Sequence, residues 1–303
     1  MPSANPLVVK ELVKKYGDFT VLDNINFTVK KGEVFGYLGP NGAGKTTTIR
    51  LLTGLSRDYS GECLLFGKPP ATDRNVYNKI GVLFEEKNLY ERLTALQNLK
   101  FFAHLYDVEE TRIIELLDRY GLLGSEQKKV NTYSKGMKQR LLICRTLLHK
   151  PQFLFLDEPT DGLDPNSAEL IITVIKEFVA EGNTVFLSSH NMDEVDEVCD
   201  RVVFLKGGKI ISNDIPQILK KKYGQPVLRL KVRVKVKEKL ESIMTAGDNL
   251  SDCGNKIYLM ELSYNKNDYW HKLNRLKDME DCQILSIHSR EASLKDVFKK
   301  ITR

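Results

Sequence analysis

One segment near the N-terminus has the residue types and the spacing of a phosphate-binding loop. Residues 39–46 read GPNGAGKT and fit the pattern GxxxxGK[ST]. Its three glycines let the backbone curl so that successive N–H groups point at phosphate oxygens. Lys45 would then hold the β- and γ-phosphates of a nucleoside triphosphate, and the hydroxyl of Thr46 would bind Mg²⁺.

Two carboxylates follow an apolar, strand-like segment further along the chain. The segment Phe153–Leu156 ends at Asp157 and Glu158. Since ligands of open α/β sheets bind beyond the carboxyl ends of strands, both acids can reach the same nucleotide. Asp157 is typical of the acid that holds Mg²⁺, and Glu158 of the base that deprotonates the attacking water. Alone, the pair could equally be two acids at a helix N-terminus.

A third strand-like segment, Thr184–Ser189, ends at His190. A lone histidine is usually structural. Here the strand delivers it to the same edge of the sheet, where it could hydrogen-bond the γ-phosphate or position the attacking water. The shared edge favours the functional interpretation.

The elements that must position these residues are those of an α/β domain. An apolar run over 33–38 precedes the loop, and a helix-like run over 47–55 follows it. Residues 89–148 are dominated by helical periodicity, which predicts a helical subdomain.

Together, the motifs resemble those of the ATP-binding subunit of an ATP-binding-cassette (ABC) transporter over about residues 7–215. The family's signature segment matches Tyr133–Met137, its D-loop matches Asp161–Asp164 and its switch histidine matches His190. The resemblance implies a P-loop NTPase fold of the ABC type with an inserted helical subdomain, and an ATPase that uses ATP and Mg²⁺. It also places Tyr16 where an aromatic side chain stacks on adenine.

The resemblance implies roles for the matched residues. Glu158 and His190 would be catalytic, and Thr46, Glu85 and Asp157 would hold the metal. The residues expected to contact the nucleotide come from the phosphate loop, the signature and their neighbours: Tyr16, Gly39, Pro40, Asn41, Gly42, Ala43, Gly44, Lys45, Thr46, Thr47, Ser134, Lys135, Gly136, Met137 and Asp164.

The resemblance further implies a homodimer that forms on ATP. Each ATP would lie between the phosphate loop of one subunit and the signature of the other, where Ser134 and the N–H groups around Gly136 contact the γ-phosphate. Hydrolysis would then remove the group that joins the halves. A separate transmembrane permease is expected to dock near residues 85–94 and to be driven by this movement.

Two departures from the family pattern bear on the expected activity. Glu85 replaces the usual glutamine and would bring negative charge towards the γ-phosphate. In the signature, Lys135 replaces a glycine and Met137 a glutamine, a variant that resembles the drug- and antibiotic-export branch. We therefore expect an exporter. The alternatives are a soluble ABC ATPase acting on DNA or ribosomes, and a regulator that binds ATP without hydrolysing it.

A small C-terminal α+β accessory domain is expected at residues 226–303, with the ATPase domain spanning 1–225. Residues 228–237 alternate strictly between apolar and basic, which predicts a half-buried strand. Further strands are expected over 256–262 and 283–288, and helices over 267–277 and 293–301.

The charge and the composition limit the classes of partner that the chain can bind. The chain of 303 residues has a net charge of +6, but residues 206–239 alone carry +9. A solvated strand face, attraction to an anionic membrane surface and nucleic-acid binding all fit this charge, and the lack of interleaved aromatic residues disfavours nucleic acid. Because no stretch reaches about 18 apolar residues and no leader is visible, we expect a cytoplasmic protein, peripheral on the inner face of the cell membrane.

Overall fold

The computed structural model describes residues 5–70, 74–84, 88–224, 226–245, 248–263 and 268–301. These residues fall into two units, Met1–Ile215 and Pro216–Arg303. The elements of the first unit are, in chain order, β1 (Leu7–Tyr16), β2 (Phe19–Val29), β3 (Val34–Leu38), α1 (Lys45–Leu52), β4 (Ser60–Leu65), α2 (Arg74–Tyr77), β5 (Ile80–Leu83), α3 (Ala95–Tyr106), α4 (Glu110–Arg119), α5 (Lys135–Leu147), β6 (Phe153–Asp157), α6 (Pro165–Ala180), β7 (Thr184–Ser189), α7 (Met192–Val198), β8 (Arg201–Lys206) and β9 (Lys209–Asp214).

The main sheet of the first unit has six strands in the order β5-β6-β7-β3-β8-β9, all parallel except β9. A second, antiparallel sheet has the order β2-β1-β4. In the main sheet Leu38 is the Cα partner of Ser189, and Asp157 that of Ser188. The carboxyl ends of β3, β7 and β6 therefore lie side by side, as predicted for the phosphate loop, the acid pair and His190.

The core of this unit is built by strands that are buried on both faces. Every residue of β3, β6 and β7 is buried, as expected for near-continuous apolar strands in a parallel sheet. Phe27 on β2 stacks on Phe35 with ring centroids 5.3 Å apart, and Phe186 lies 5.2 Å from Tyr37. This packing joins the two sheets and fixes the strand ends that carry the site.

The predicted helical subdomain is present as α3, α4 and α5. α3 begins with a capping box, in which Thr94 accepts a hydrogen bond from the N–H of Gln97 and the Gln97 side chain accepts one from the N–H of Thr94. α4 buries Ile113 and Leu116 on one face. α5 starts in the signature segment, so the N-terminus of this helix carries residues that are expected to contact nucleotide.

The second unit contains α8 (Pro216–Tyr223), β10 (Val227–Arg233), α9 (Lys237–Glu241), β11 (Asn249–Asp252), β12 (Ile257–Ser263), α10 (Asp268–Lys277), β13 (Gln283–Arg290) and α11 (Leu294–Ile301). Its antiparallel sheet has the order β11-β12-β10-β13. From β10 to β13 this is the βαββαβ arrangement of ferredoxin-like domains. The predicted α+β class is therefore found. The domain boundary expected at residue 225 stays a prediction. In the structure, α8 belongs to the second unit and packs against α11.

One strand prediction is wrong at its C-terminal end. The alternating pattern predicted a strand to residue 237, but β10 ends at Arg233. Val236 precedes α9 as its N-cap and is 41% exposed, although the pattern had placed it on the buried face. The chain leaves the sheet here to begin a helix, a choice that local alternation does not reveal.

Candidate nucleotide-binding site

The phosphate loop joins β3 to α1, and α1 begins at Lys45. Its N-cap is Gly44, whose φ of 106° lies in the region that favours glycine, and a Cβ there would lie 2.7 Å from Cδ2 of Leu22. Thr48 anchors the first turn, since its hydroxyl donates to the carbonyl oxygen of Gly44 at 2.9 Å. The N-terminus of α1 thus opens towards the position where phosphate would bind.

A cleft of about 320 Å³ opens in front of this loop. It gathers residues from the loop, from the ends of β6 and β7 and from β2. Its lining residues are Phe19, Val21, Asn41, Gly42, Gly44, Lys45, Thr46, Thr47, Glu158, Asp161 and His190.

Lys45 lies almost buried at the bottom of the cleft. Its ammonium nitrogen donates to the carbonyl oxygen of Gly39 at 2.8 Å and lies 3.1 Å from Oε1 of Glu158. The side chains of Lys45 and Glu158 are only 7% and 9% exposed. Within the described chain Oε1 accepts no aligned hydrogen bond, so the contact is an ion pair by distance alone. The positive charge that should hold phosphate is therefore paired with the expected base.

Glu158 is held in an unusual backbone conformation. Its φ of 49° is left-handed, which costs a residue with a side chain on the order of 1–3 kcal/mol and is typical of functional sites. Its Oε2 lies 2.8 Å from Nδ1 of His190 and accepts a hydrogen bond from the His190 N–H at 3.2 Å. The structure thus brings both predicted catalytic residues together and orients the carboxylate through the histidine.

Asp157 is fully buried beside Glu158. The hydroxyl of Ser188, on the neighbouring strand β7, donates to Oδ1 of Asp157. Among the described residues Oδ2 of Asp157 has no hydrogen-bond partner. Since buried polar atoms nearly always have one, this oxygen is expected to bind a ligand or an ordered water. A buried carboxylate with one oxygen that has no described partner fits a Mg²⁺ site, which needs only one or two carboxylates beside phosphate oxygens.

The signature and the D-loop lie next to each other. Ser134 is the N-cap of α5 and accepts the N–H of Met137 at 3.2 Å, and Asp164 is the N-cap of α6 and accepts the N–H of Ser167 at 3.0 Å. A Cβ on Gly136 would lie 2.5 Å from Oγ of Ser167, so only glycine allows this approach. The cleft is not lined by Ser134, Lys135, Gly136, Met137 or Asp164.

The other expected residues have different outcomes. Tyr16 is the cross-strand partner of Phe19 and is 53% exposed, but it does not line the cleft, whereas Phe19 does. Its role at the adenine stays a prediction. Gly39, Pro40 and Ala43 belong to the loop without lining the cleft. Glu85, the third expected metal ligand, lies outside the described residues.

The site includes residues that were not predicted from the sequence, among them Val21, which lines the cleft. Phe19 offers an aromatic ring at the cleft, and Ser188 holds Asp157. Ser188 carries a weak signal, since it precedes His190 by two residues and so lies near the same strand end. Phe19 gives none beyond being an aromatic residue in a turn region.

A glycine-rich loop leading into a helix, an acid pair after β6 and a histidine after β7 define a P-loop ATPase. A sequence model of the family described as ABC transporter matches residues 22–161. A fluoroquinolones export ATP-binding protein of Mycobacterium tuberculosis is 41% identical over 92% of this chain and 86% of its own length. The chain belongs to the ABC transporter family, as an ATP-binding subunit.

Further relatives agree with this assignment. The bacitracin transport ATP-binding protein BcrA of Bacillus licheniformis is 34% identical over 96% of this chain and 95% of its own length. The solved structure of cbiO1 from Clostridium perfringens, part of an ABC transporter complex, matches 73% of this chain and 92% of its own with a TM-score of 0.65 and 31% identity. Across the described residues, no helix has the length and apolar character needed to cross a membrane.

Proposed function

We propose that this chain hydrolyses ATP with Mg²⁺ as a dimer and thereby drives export through a separate membrane permease. The observation that carries the proposal is the connected set Lys45–Glu158–His190 inside one cleft. Export is supported by the names of the relatives, which are export and transport ATP-binding proteins. A DNA or ribosome ATPase is not favoured, because these relatives are transporter subunits.

Thr46 and Asp157 would hold the metal. The orphaned Oδ2 of Asp157 supplies a carboxylate oxygen, and Thr46 lines the cleft at the start of α1. A Mg²⁺ ion held by these two residues would supply positive charge that offsets the negative charge of the phosphates.

ATP binding would break the ion pair between Lys45 and Glu158, and each side chain would then interact with a part of the substrate. Phosphate oxygens offer the Lys45 ammonium stronger and more numerous acceptors than the single carboxylate oxygen at 3.1 Å. Once Lys45 turns to phosphate, Oε1 of Glu158 is free to accept a proton from the attacking water. His190 keeps the other oxygen in place through its ring and its backbone N–H.

The position of Ser134 supports the ATP-bound dimer. Ser134 and Gly136 stand at the N-terminus of α5, where N–H groups and the helix dipole favour a negative phosphate. They do not line the cleft of their own chain. A second copy would supply them to the γ-phosphate, so that two chains complete two sites.

A separate apolar groove of about 430 Å³ supports the permease partner. It lies between the end of α1, strand β5 and helices α3 and α5. Arg145 crosses it, with its guanidinium carbon 5.0 Å from the centre of the Phe102 ring. Its lining residues include Thr53, Leu55, Tyr77, Val82, Phe84, Tyr90, Phe102, Tyr106 and Arg145. This groove adjoins the segment where the permease was expected to dock.

Leu55→Glu tests the permease contact. Leu55 is 67% exposed, so a charge there will not disturb the core, but it will place an unpaired carboxylate in a buried interface. We expect at least a tenfold loss of permease recovered with the tagged chain, and unchanged ATPase activity of the chain alone. Leu123→Glu, at an exposed leucine outside the groove, is the matched control. Equal recovery with both variants would place the permease elsewhere.

Ser188→Ala tests the metal assignment. Loss of the hydroxyl leaves the buried Asp157 carboxylate without its hydrogen-bond donor, and removing such supporting partners typically costs 10–100-fold in metal affinity. We expect the Mg²⁺ concentration for half-maximal ATPase activity to rise about tenfold. In Ser189→Ala the lost hydroxyl contacts the N–H of Asn191 instead, so the Mg²⁺ requirement should stay. A fall in maximal rate without a change in Mg²⁺ requirement would contradict this role.

A further inference from the structure

The sheet of the second unit has one covered and one open face. On the central strand β10, Leu230 and Val232 are fully buried and belong to an apolar cluster with Leu240 and Leu276. Leu240 lies on α9 and Leu276 on α10, so both helices cover this face. The alternating residues of β10 point the opposite way.

The open face is basic. Arg229, Lys231 and Arg233 lie on it along β10, and the exposed Lys235 follows directly after the strand. Arg229 is neutralised, because Glu261 on β12 lies 2.7 Å from its Nε. We name the remaining three residues, Lys231, Arg233 and Lys235, the basic face.

The basic face keeps an excess of positive charge. The pKa of Asp281 is lowered by its hydrogen bond with Lys239 and also by the charge of Lys235, so this one acid, already paired with Lys239 at 2.9 Å, is shared by two lysines. Arg233 donates to the neutral side-chain oxygen of Gln283 at 3.3 Å. Lys231 and Lys235 form no ion pair with any residue the structure describes. The cross-strand partners of Lys231 are Leu259 and Ser286, and the described acid on the same face of β12, Glu261, is paired with Arg229.

We propose that the basic face binds the surface of an anionic lipid bilayer. A sheet face that carries three cations and an excess of positive charge complements a plane of phosphate headgroups. The half-buried Leu259 and Ile257 add apolar area beside the cations. This proposal uses no residue of the ATP cleft, and it adds a contact with the lipid to the permease contact proposed above.

The charge pattern disfavours two other occupants. A second copy of the same face would place like charges against each other, which opposes association. Single-stranded nucleic acid is held by aromatic platforms on which bases stack, and the described strand residues on the open face of β10, β12 and β13 include no Phe, Tyr or Trp, the one ring there being the imidazole of His288 opposite Arg229.

Vesicle co-sedimentation of the full chain tests the proposal. The probes are phosphatidylcholine vesicles with and without 30 mole per cent phosphatidylglycerol, about that fraction being enough to give a strongly negative surface. We expect partitioning only onto the anionic vesicles, and weaker partitioning at high salt. The triple variant Lys231→Gln, Arg233→Gln, Lys235→Gln should lower the partition coefficient on the order of 100-fold.

The matched control changes three exposed lysines of the same unit that lie on α11: Lys295→Gln, Lys299→Gln and Lys300→Gln. It should partition like the unchanged chain, and both triple variants should keep their ATPase activity, which reports that they are folded. An equal loss in both variants would attribute the attraction to net charge and overturn the proposal. Tighter binding to a single-stranded or duplex oligonucleotide than to the anionic vesicles would also overturn it, in favour of nucleic acid.

Discussion

Glu158→Gln will bind ATP and lose nearly all turnover. The amide oxygen can still accept the hydrogen bonds from His190, so the geometry of the strand end is retained. What is lost is the carboxylate that we propose accepts the proton of the attacking water, a contribution that is typically worth about 10²–10⁴-fold. The rate of phosphate release per chain, measured at saturating ATP and Mg²⁺, checks this expectation.

The same substitution should not weaken nucleotide binding. Glu158 is paired with Lys45 at 3.1 Å, and the neutral glutamine releases the lysine for phosphate. ATP affinity should therefore be equal or higher, as measured by the fluorescence of a labelled ATP analogue. Glu181→Gln, at an exposed glutamate outside the cleft, is the control and should keep full turnover. Hydrolysis within threefold of the unchanged chain would remove Glu158 from the role of base.

Ser134→Arg will abolish ATP-dependent dimerisation. The long cationic side chain would fill the space in which the signature of one chain is proposed to meet the γ-phosphate on the other. Loss of one such contact to developing charge costs about 10²–10³-fold in rate, so turnover should fall at least that far. Light scattering of the Glu158→Gln background, with and without ATP, reports the dimer directly.

A second variant separates the contact from the fold of α5. Ser134 is also the N-cap of that helix, so arginine removes a cap worth about 1 kcal/mol. Ser134→Asp keeps a capping oxygen for the N–H of Met137 but presents a negative charge to the phosphate, and it should fail to dimerise equally. Ser251→Arg, an exposed serine on β11, serves as the control. Full activity from a monomeric Ser134→Asp chain would contradict the proposed dimer.

The main sheet could be predicted because its strands carry strong local signals. β6 and β7 are short apolar runs that end in polar residues, and both occur where the sequence placed them. β11 was missed, since its four residues Asn249–Asp252 include only one apolar side chain and form a strand by pairing with β12. Edge strands of this kind are fixed by a neighbour rather than by their own residues.

In the candidate site, the sequence predicted where residues lie along the sheet edge but not which side chains contact one another. The sequence predicted that Lys45, Glu158 and His190 share one edge, because each follows or begins an element of known direction. It could not predict that Lys45 is paired with Glu158, or that Ser188 donates to Asp157, since these contacts depend on rotamers and on cross-strand register. The first contact is the one that we propose ATP breaks, and the second is the one that we propose supports the metal ligand.

The central claim, an ATPase that drives a membrane permease, is tested most directly by its partners. Tagged Glu158→Gln chain is purified from gently solubilised native membranes in the presence of ATP and Mg²⁺, and the stoichiometric partners are identified by mass spectrometry. We expect one multi-helix membrane protein, lost in the Leu55→Glu background and retained with Leu123→Glu. Recovery only from the soluble fraction, together with ribosomes or DNA, would contradict the account.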